Sequence, residues 1–222
     1  MVGPAATAQG IAKLQVLARI VQLALVAFLL VTGLAFIVDL VILARQLQVA
    51  DPPTAINDLG TLVYLLMILL LLLATIPILL WVYRAHANLR EASVAGLKYS
   101  PGWAAGSFLV PLANLVVPFR AMRELYNRSH GEPEDFAQSG AGPVTSWWAC
   151  HIPVVMLYVA LSIQGVLPLV SNIWVTAPPA ATTIMGLFDL LLLMGSAWFL
   201  HQTIIAISMA QRHGVATANV FE

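Results

Sequence analysis

Residues 101–119 read PGWAAGSFLVPLANLVVPF, nineteen positions without a charged side chain. Whether this stretch crosses a membrane sets the number of spans at four or five. On its N-terminal side lie two long apolar segments. Residues 20–44 hold a single charge, Asp39, and residues 59–83 hold none and contain the run LLMILLLLLA. On its C-terminal side, no Asp, Glu, Lys or Arg occurs from Phe136 to Phe188. That is too long for one span of about 20 residues. The turn-forming SNIWVTAPPAATT at 171–183 divides it, leaving spans at 147–170 and 184–211. The first segment is longer than the roughly 7–15 residues of a signal-peptide core and reads as an uncleaved anchor.

Composition requires lipid as the solvent. Apolar residues make up 60% of the 222 and charged residues 9%, against about 25% charged in soluble proteins. Mean hydropathy is +0.90. Such a chain cannot cover its surface with polar groups. A net charge of zero argues against a nucleic-acid partner, which needs a basic face to neutralise phosphates. Cys150, the one cysteine, allows neither an intrachain disulfide nor a cysteine-based metal cluster. No cofactor is implied.

The distribution of charge decides between four spans and five. With four, and the N-terminus in the cytoplasm, nine of the ten Lys and Arg residues are cytoplasmic and Arg45 alone is outside. A fifth span at 101–119 moves Arg120, Arg123, Arg128 and Arg212 across, and the split becomes five to five. The excess of Lys and Arg in cytoplasmic loops favours four. Pro111 and Pro118 also suit a segment that dips in and returns, since ten residues of helix rise only about 15 Å. The expected fold is an all-α integral membrane protein of one domain, residues 1–222. It has four transmembrane helices at about 20–44, 59–83, 147–170 and 184–211, and both termini are cytoplasmic. Residues 101–119 form a re-entrant or interfacial segment between helices 2 and 3. Residues 1–13 should fray, and 46–58 and 131–143 should be loops. The place is the inner cell membrane.

Within 83–129 local signals are clear. Ser100-Pro101 reads as an N-cap with proline at the first helical position. Pro118 opens a second helix, 119–128, with Phe119, Met122 and Tyr126 on one face and Arg120, Arg123, Glu124 and Asn127 on the other, the pattern of an interfacial helix. WVYRAHANLR at 81–90, YSPGWAAGSFLVPLANLVVPFRAMRELYNRS at 99–129 and the Trp147-Trp148 pair resemble a family of bacterial membrane proteins carried as a domain of unknown function. The likeness covers roughly residues 81–148, with a weaker stretch at 207–212. It implies a bacterial multi-pass membrane protein and brings no catalytic residues.

Three function classes fit. The favoured one is a non-enzymatic protein that binds a lipid, an anionic small molecule or a partner at its cytoplasmic face, through a pocket of Arg84, Asn88, Trp103, Asn114, Arg120 and Arg123. Against it stands simple anchoring of these arginines at anionic lipid. The second is a small proton- or cation-coupled transporter, oligomeric because four helices enclose little. It uses Asp39 and Asp189, six residues from Arg45 and Thr183 respectively and so both about 9 Å below the outer surface. A carboxylate there costs about 2.5–3.5 kcal/mol, which calls for an explanation. The third is a haem- or quinone-linked redox protein using His151 and His201, whose depths of ~7 and ~15 Å match poorly. Cys150 and His151 form no dyad, because neighbours on a helix point about 100° apart.

Overall fold

The computed structural model describes residues 4–48, 53–172 and 177–218. Four helices are long and apolar enough to cross a membrane: α1 (Pro4–Leu47), α2 (Thr54–Glu91), α5 (Gly142–Val170) and α6 (Pro179–Ala218). Two shorter ones lie between α2 and α5, α3 (Pro101–Gly106) and α4 (Val117–Ser129). Among the described residues there is no strand. Backbone polar groups in hydrocarbon must be satisfied within the segment, and helices do this wherever the side chains are apolar. The helices run past the apolar segments, at both ends in α1, α2 and α6 and at the N-terminal end in α5. Residues 4–13, expected to fray, are the first turns of α1, and 54–58, expected to be loop, open α2. The rest of the expected 46–58 and 171–183 loops lies partly outside the described residues.

The chain divides into two compact units. The first comprises Met1–Leu25, Leu72–Trp147 and Phe199–Glu222. Its core takes Leu14, Ala18 and Val21 from α1, Trp81, Val82 and Ala85 from α2, Ala121, Met122 and Leu125 from α4, and Ile204 and Ile207 from α6, each at most 2% exposed. Polar bonds tie these helices together. Gln15 donates to the Ser208 carbonyl at 2.8 Å and the Trp81 indole donates to Ser208 Oγ at 3.1 Å. The second unit comprises Val26–Leu71 and Trp148–Trp198. Ala35, Val63 and Leu190 form its buried cluster, with Val31, Phe36, Tyr64 and Met67 against it. In α2 the side chains of Leu62, Leu65, Leu69, Leu72, Leu73 and Ile76 are exposed. A helix apolar on every side, with exposed leucines, is one solvated by lipid.

Residues 101–119 do not form one continuous helix. The Ser100 hydroxyl accepts the Trp103 N–H at 3.2 Å and starts α3, with Pro101 at its first position. Two 3-10 turns follow, Ser107–Leu109 and Ala113–Leu115. They close the backbone around Pro111 through Asn114 N–H to Val110 O (2.7 Å), Leu115 N–H to Leu112 O (3.3 Å) and Val116 N–H to Ala113 O (3.0 Å). Proline withholds one donor, and these short turns supply others.

The α4 helix starts where Pro118 predicts, but its faces differ from the expected ones. Glu124 and Asn127, assigned to the polar side, are buried together with Met122, whereas Tyr126 is half-buried. The buried stripe is Pro118, Ala121, Met122 and Leu125, at i, i+3, i+4 and i+7. This places the apolar face against protein.

Candidate functional site

In the second unit the three helices of the Ala35–Val63–Leu190 cluster bring polar groups of their apolar segments to one place. Asp39 on α1 is 7% exposed. The Tyr64 hydroxyl on α2 donates to its Oδ2 at 2.6 Å. On α6, a β-carbon built on Gly186 would stand 3.8 Å from the same oxygen, so the helix backbone comes close there. One turn further along α6, Asp189 is within electrostatic reach of Tyr64. One of its carboxyl oxygens is buried without a hydrogen-bond partner. An open cleft of about 430 Å³ is lined by Asp39, Asn57, Thr61 and Tyr64 among apolar neighbours. Of the two carboxyl groups singled out in the sequence, Asp39 is bonded to Tyr64 and Asp189 lies within electrostatic reach of it. Tyr64 is the residue the sequence reading missed. A signal for it existed: five residues into its apolar segment, it lies at about the depth of Asp39.

In the first unit the six residues expected to form a pocket fall into three settings. Arg84 donates to Asn88 Oδ1 at 2.7 Å and pairs with the Glu91 carboxylate. Asn88 donates to Gln211 Oε1 at 3.0 Å, and Gln211 donates to Ala85 O and to Ser129 Oγ, both at 3.0 Å. A methyl group at Gly10 would collide with both Arg84 and Asn88, so α1 lies directly over this network. Arg123 belongs to a second setting. Its guanidinium donates to Ser139 O (3.0 and 3.2 Å) and to Gln138 O, and stands 5.1 Å from the Phe119 ring centroid. Its neighbour Arg120 is exposed. The third setting is the 101–116 turn, with Trp103 half-exposed and the amide oxygen of Asn114 buried without a hydrogen-bond partner.

Most of the basic residues in this part of the chain staple it together. Arg128 donates to Ala95 O at 2.7 Å and to Glu132 O, and Arg90 to Tyr99 O at 3.1 Å. Bonds from a charged donor are about twice as strong as neutral ones, and a guanidinium can hold two strands of loop at once. The buried Glu124 accepts the N–H groups of Lys98 (3.0 Å) and Tyr99 (3.2 Å). Asn127 donates to the carbonyls of Phe136, Ala137 and Ser139 at 3.1–3.2 Å. Burial pushes the Tyr99 phenol above its usual range, with Arg120 opposing and Glu124 adding to the shift.

His151 lies in the second unit, 5.4 Å from the Trp148 ring, and His201 in the first. Among the described residues no three His, Cys, Asp or Glu side chains are grouped to hold a metal ion.

A family model, described as domain of unknown function (DUF4328), matches residues 53–210. The match takes in α2 to α5 and most of α6, including the whole of the 81–148 stretch. Neither a curated protein nor a solved structure matches the chain.

Proposed function

The chain belongs to the DUF4328 family of unknown function, and from that premise we propose that it is a multi-pass protein of the bacterial inner membrane, non-enzymatic, holding a transferable proton at Asp39, Tyr64 and Asp189 as the coupling site of a small transporter. The observation that carries this is the 2.6 Å hydrogen bond from Tyr64 to the buried Asp39 carboxyl inside the apolar part of the chain. Ionisable groups within spans are expensive and mark proton or ion pathways. A hydrogen bond to a charged group returns about 1.5–3 kcal/mol of that cost. Two carboxyl groups, one bonded to Tyr64 and the other within its electrostatic reach, do not both ionise cheaply in low dielectric, which favours one held proton between them. Asn57 and Thr61 in the cleft offer polar groups along which a proton reaches Asp39. Tyr64 and Asp189 lie inside the family match and Asp39 before it.

In this proposal both termini and the 92–141 region face the cytoplasm, and 101–119 is a short re-entrant or interfacial turn. Support comes from the nine-to-one charge distribution and from the grouping of the start of α1 and the end of α6 with residues 72–147 in one unit. Four helices enclose little, so the transporter is taken to work as a homo-oligomer. The cytoplasmic pocket is less well supported, because Arg84, Asn88 and Arg123 are already engaged within the protein.

The test is proton flux into liposomes holding a pH-sensitive dye, driven by a potassium diffusion potential. Wild-type protein should acidify the lumen, Asp39→Asn should abolish the signal, and Tyr64→Phe should slow it about tenfold, the equivalent of one hydrogen bond of roughly 1.4 kcal/mol. Flux no greater than in empty liposomes, or unchanged in Asp39→Asn, overturns the proposal.

A further inference from the structure

We propose that residues 98–120 form a docking surface for anionic phospholipid of the bilayer, with the apolar turn entering the leaflet and Arg90, Lys98 and Arg120 holding the phosphate. It is independent of the carboxyl site.

The turn presents an apolar tip. Leu109 is 67% and Leu112 83% exposed, and Val110, Pro111 and Val116 are exposed beside them. Its base is anchored in protein through the buried Ala104, Ser107 and Pro118. Phe108, next to the tip, stacks on Trp147 with ring centroids 6.4 Å apart. Trp147 opens the third apolar segment, so the tip stands where α5 enters the hydrocarbon. The exposed leucines continue the lipid-facing surface of the spans.

Directly before the turn, three cations gather about Tyr99. Arg90 donates to its carbonyl, the charge of Arg120 is felt at its phenol, and Lys98 precedes it. All three are exposed. Three carboxyl groups lie close by. Glu124 has no exposed surface and both its oxygens accept the N–H groups of Lys98 and Tyr99, Glu91 is paired with Arg84, and the exposed Glu134 stands against Gly96. Three exposed cations against the one exposed carboxylate among these, Glu134, leave the outward face with an excess of positive charge. A positive cluster beside an apolar wedge matches an anionic headgroup above its acyl chains, each cation near the surface favouring anionic lipid about fivefold.

Two measurements test this in nanodiscs. In a Cys150→Ser background, a nitroxide at Leu112→Cys should collide more with oxygen than with a water-soluble nickel chelate. The reverse places the tip in water, free for a soluble partner, and overturns the wedge. Phosphatidylglycerol retention in native mass spectrometry should fall roughly 25-fold in the Lys98→Ala/Arg120→Ala protein, with phosphatidylcholine retention unchanged. Equal retention of phosphatidylglycerol, or its displacement by millimolar inorganic phosphate, overturns the headgroup assignment. Both side chains are exposed, so the variant is expected to fold, and matching melting curves confirm it.

Discussion

Glu124 carries a carboxylate with no exposed surface, engaged by two backbone N–H groups that lie 25 and 26 residues away in the chain. A leucine there fits the apolar stripe of α4 but leaves both part-buried donors without their acceptor, at about 1–3 kcal/mol each. Glu124→Leu is therefore expected to lower stability by about 3 kcal/mol and Glu124→Gln, which keeps one acceptor, by about 1 kcal/mol. Thermal melting in a single detergent compares the two. Equal losses would show that volume rather than hydrogen bonding matters at this site. By spacing alone Glu124 falls beside Arg120 and Arg123 on a solvated face. Its burial was not legible, because the loop that covers it has no periodicity to read.

At the scale of elements, α2 and α4 leave their helices by the same geometry. After α2, Val94 N–H reaches back to Leu89 O and Ser93 N–H to Arg90 O. After α4, Glu132 N–H reaches Asn127 O and Gly131 N–H reaches Arg128 O. These are the paired bonds of a Schellman end, which needs a left-handed residue between them. Gly131 supplies it at φ +84°, and Ser93 adopts φ +57°. An L side chain in that region is strained by roughly 1 kcal/mol, and glycine is not. Ser93→Gly should stabilise the protein by about 1 kcal/mol and Gly131→Ala should destabilise it by a similar amount. Nothing stands within 4 Å of a β-carbon at Gly131, so the second effect is purely a backbone one. Opposite signs in chemical denaturation confirm the motif, and like signs reject it. The glycine stop after α4 was open to reading in the sequence, whereas a serine in the same role was not.

For the whole molecule, the expected outcome concerns sidedness. Glu132 is exposed in the loop after α4, and Asp58 is exposed near the start of α2. With Cys150 replaced by serine, Glu132→Cys should resist an impermeant maleimide in intact cells and react in inverted vesicles. Asp58→Cys should show the reverse. Labelling of Glu132→Cys from outside would invert the orientation and place the basic residues on the wrong face.

The amino-acid sequence by itself determined the membrane class, the four long helices, the Ser100 cap and the Pro118 helix start. Each of these depends on a local run or a neighbouring residue: uncharged segments long enough for hydrocarbon, a hydroxyl before a proline, a proline without its donor. Only the tertiary structure decided which polar groups meet. Asp39 finds Tyr64 across 25 residues, Trp81 finds Ser208 across 127, and Asn88 finds Gln211 across 123. Buried polar groups must find partners. In helices that lipid would accept in almost any rotation, it is packing that sets which partners come within reach.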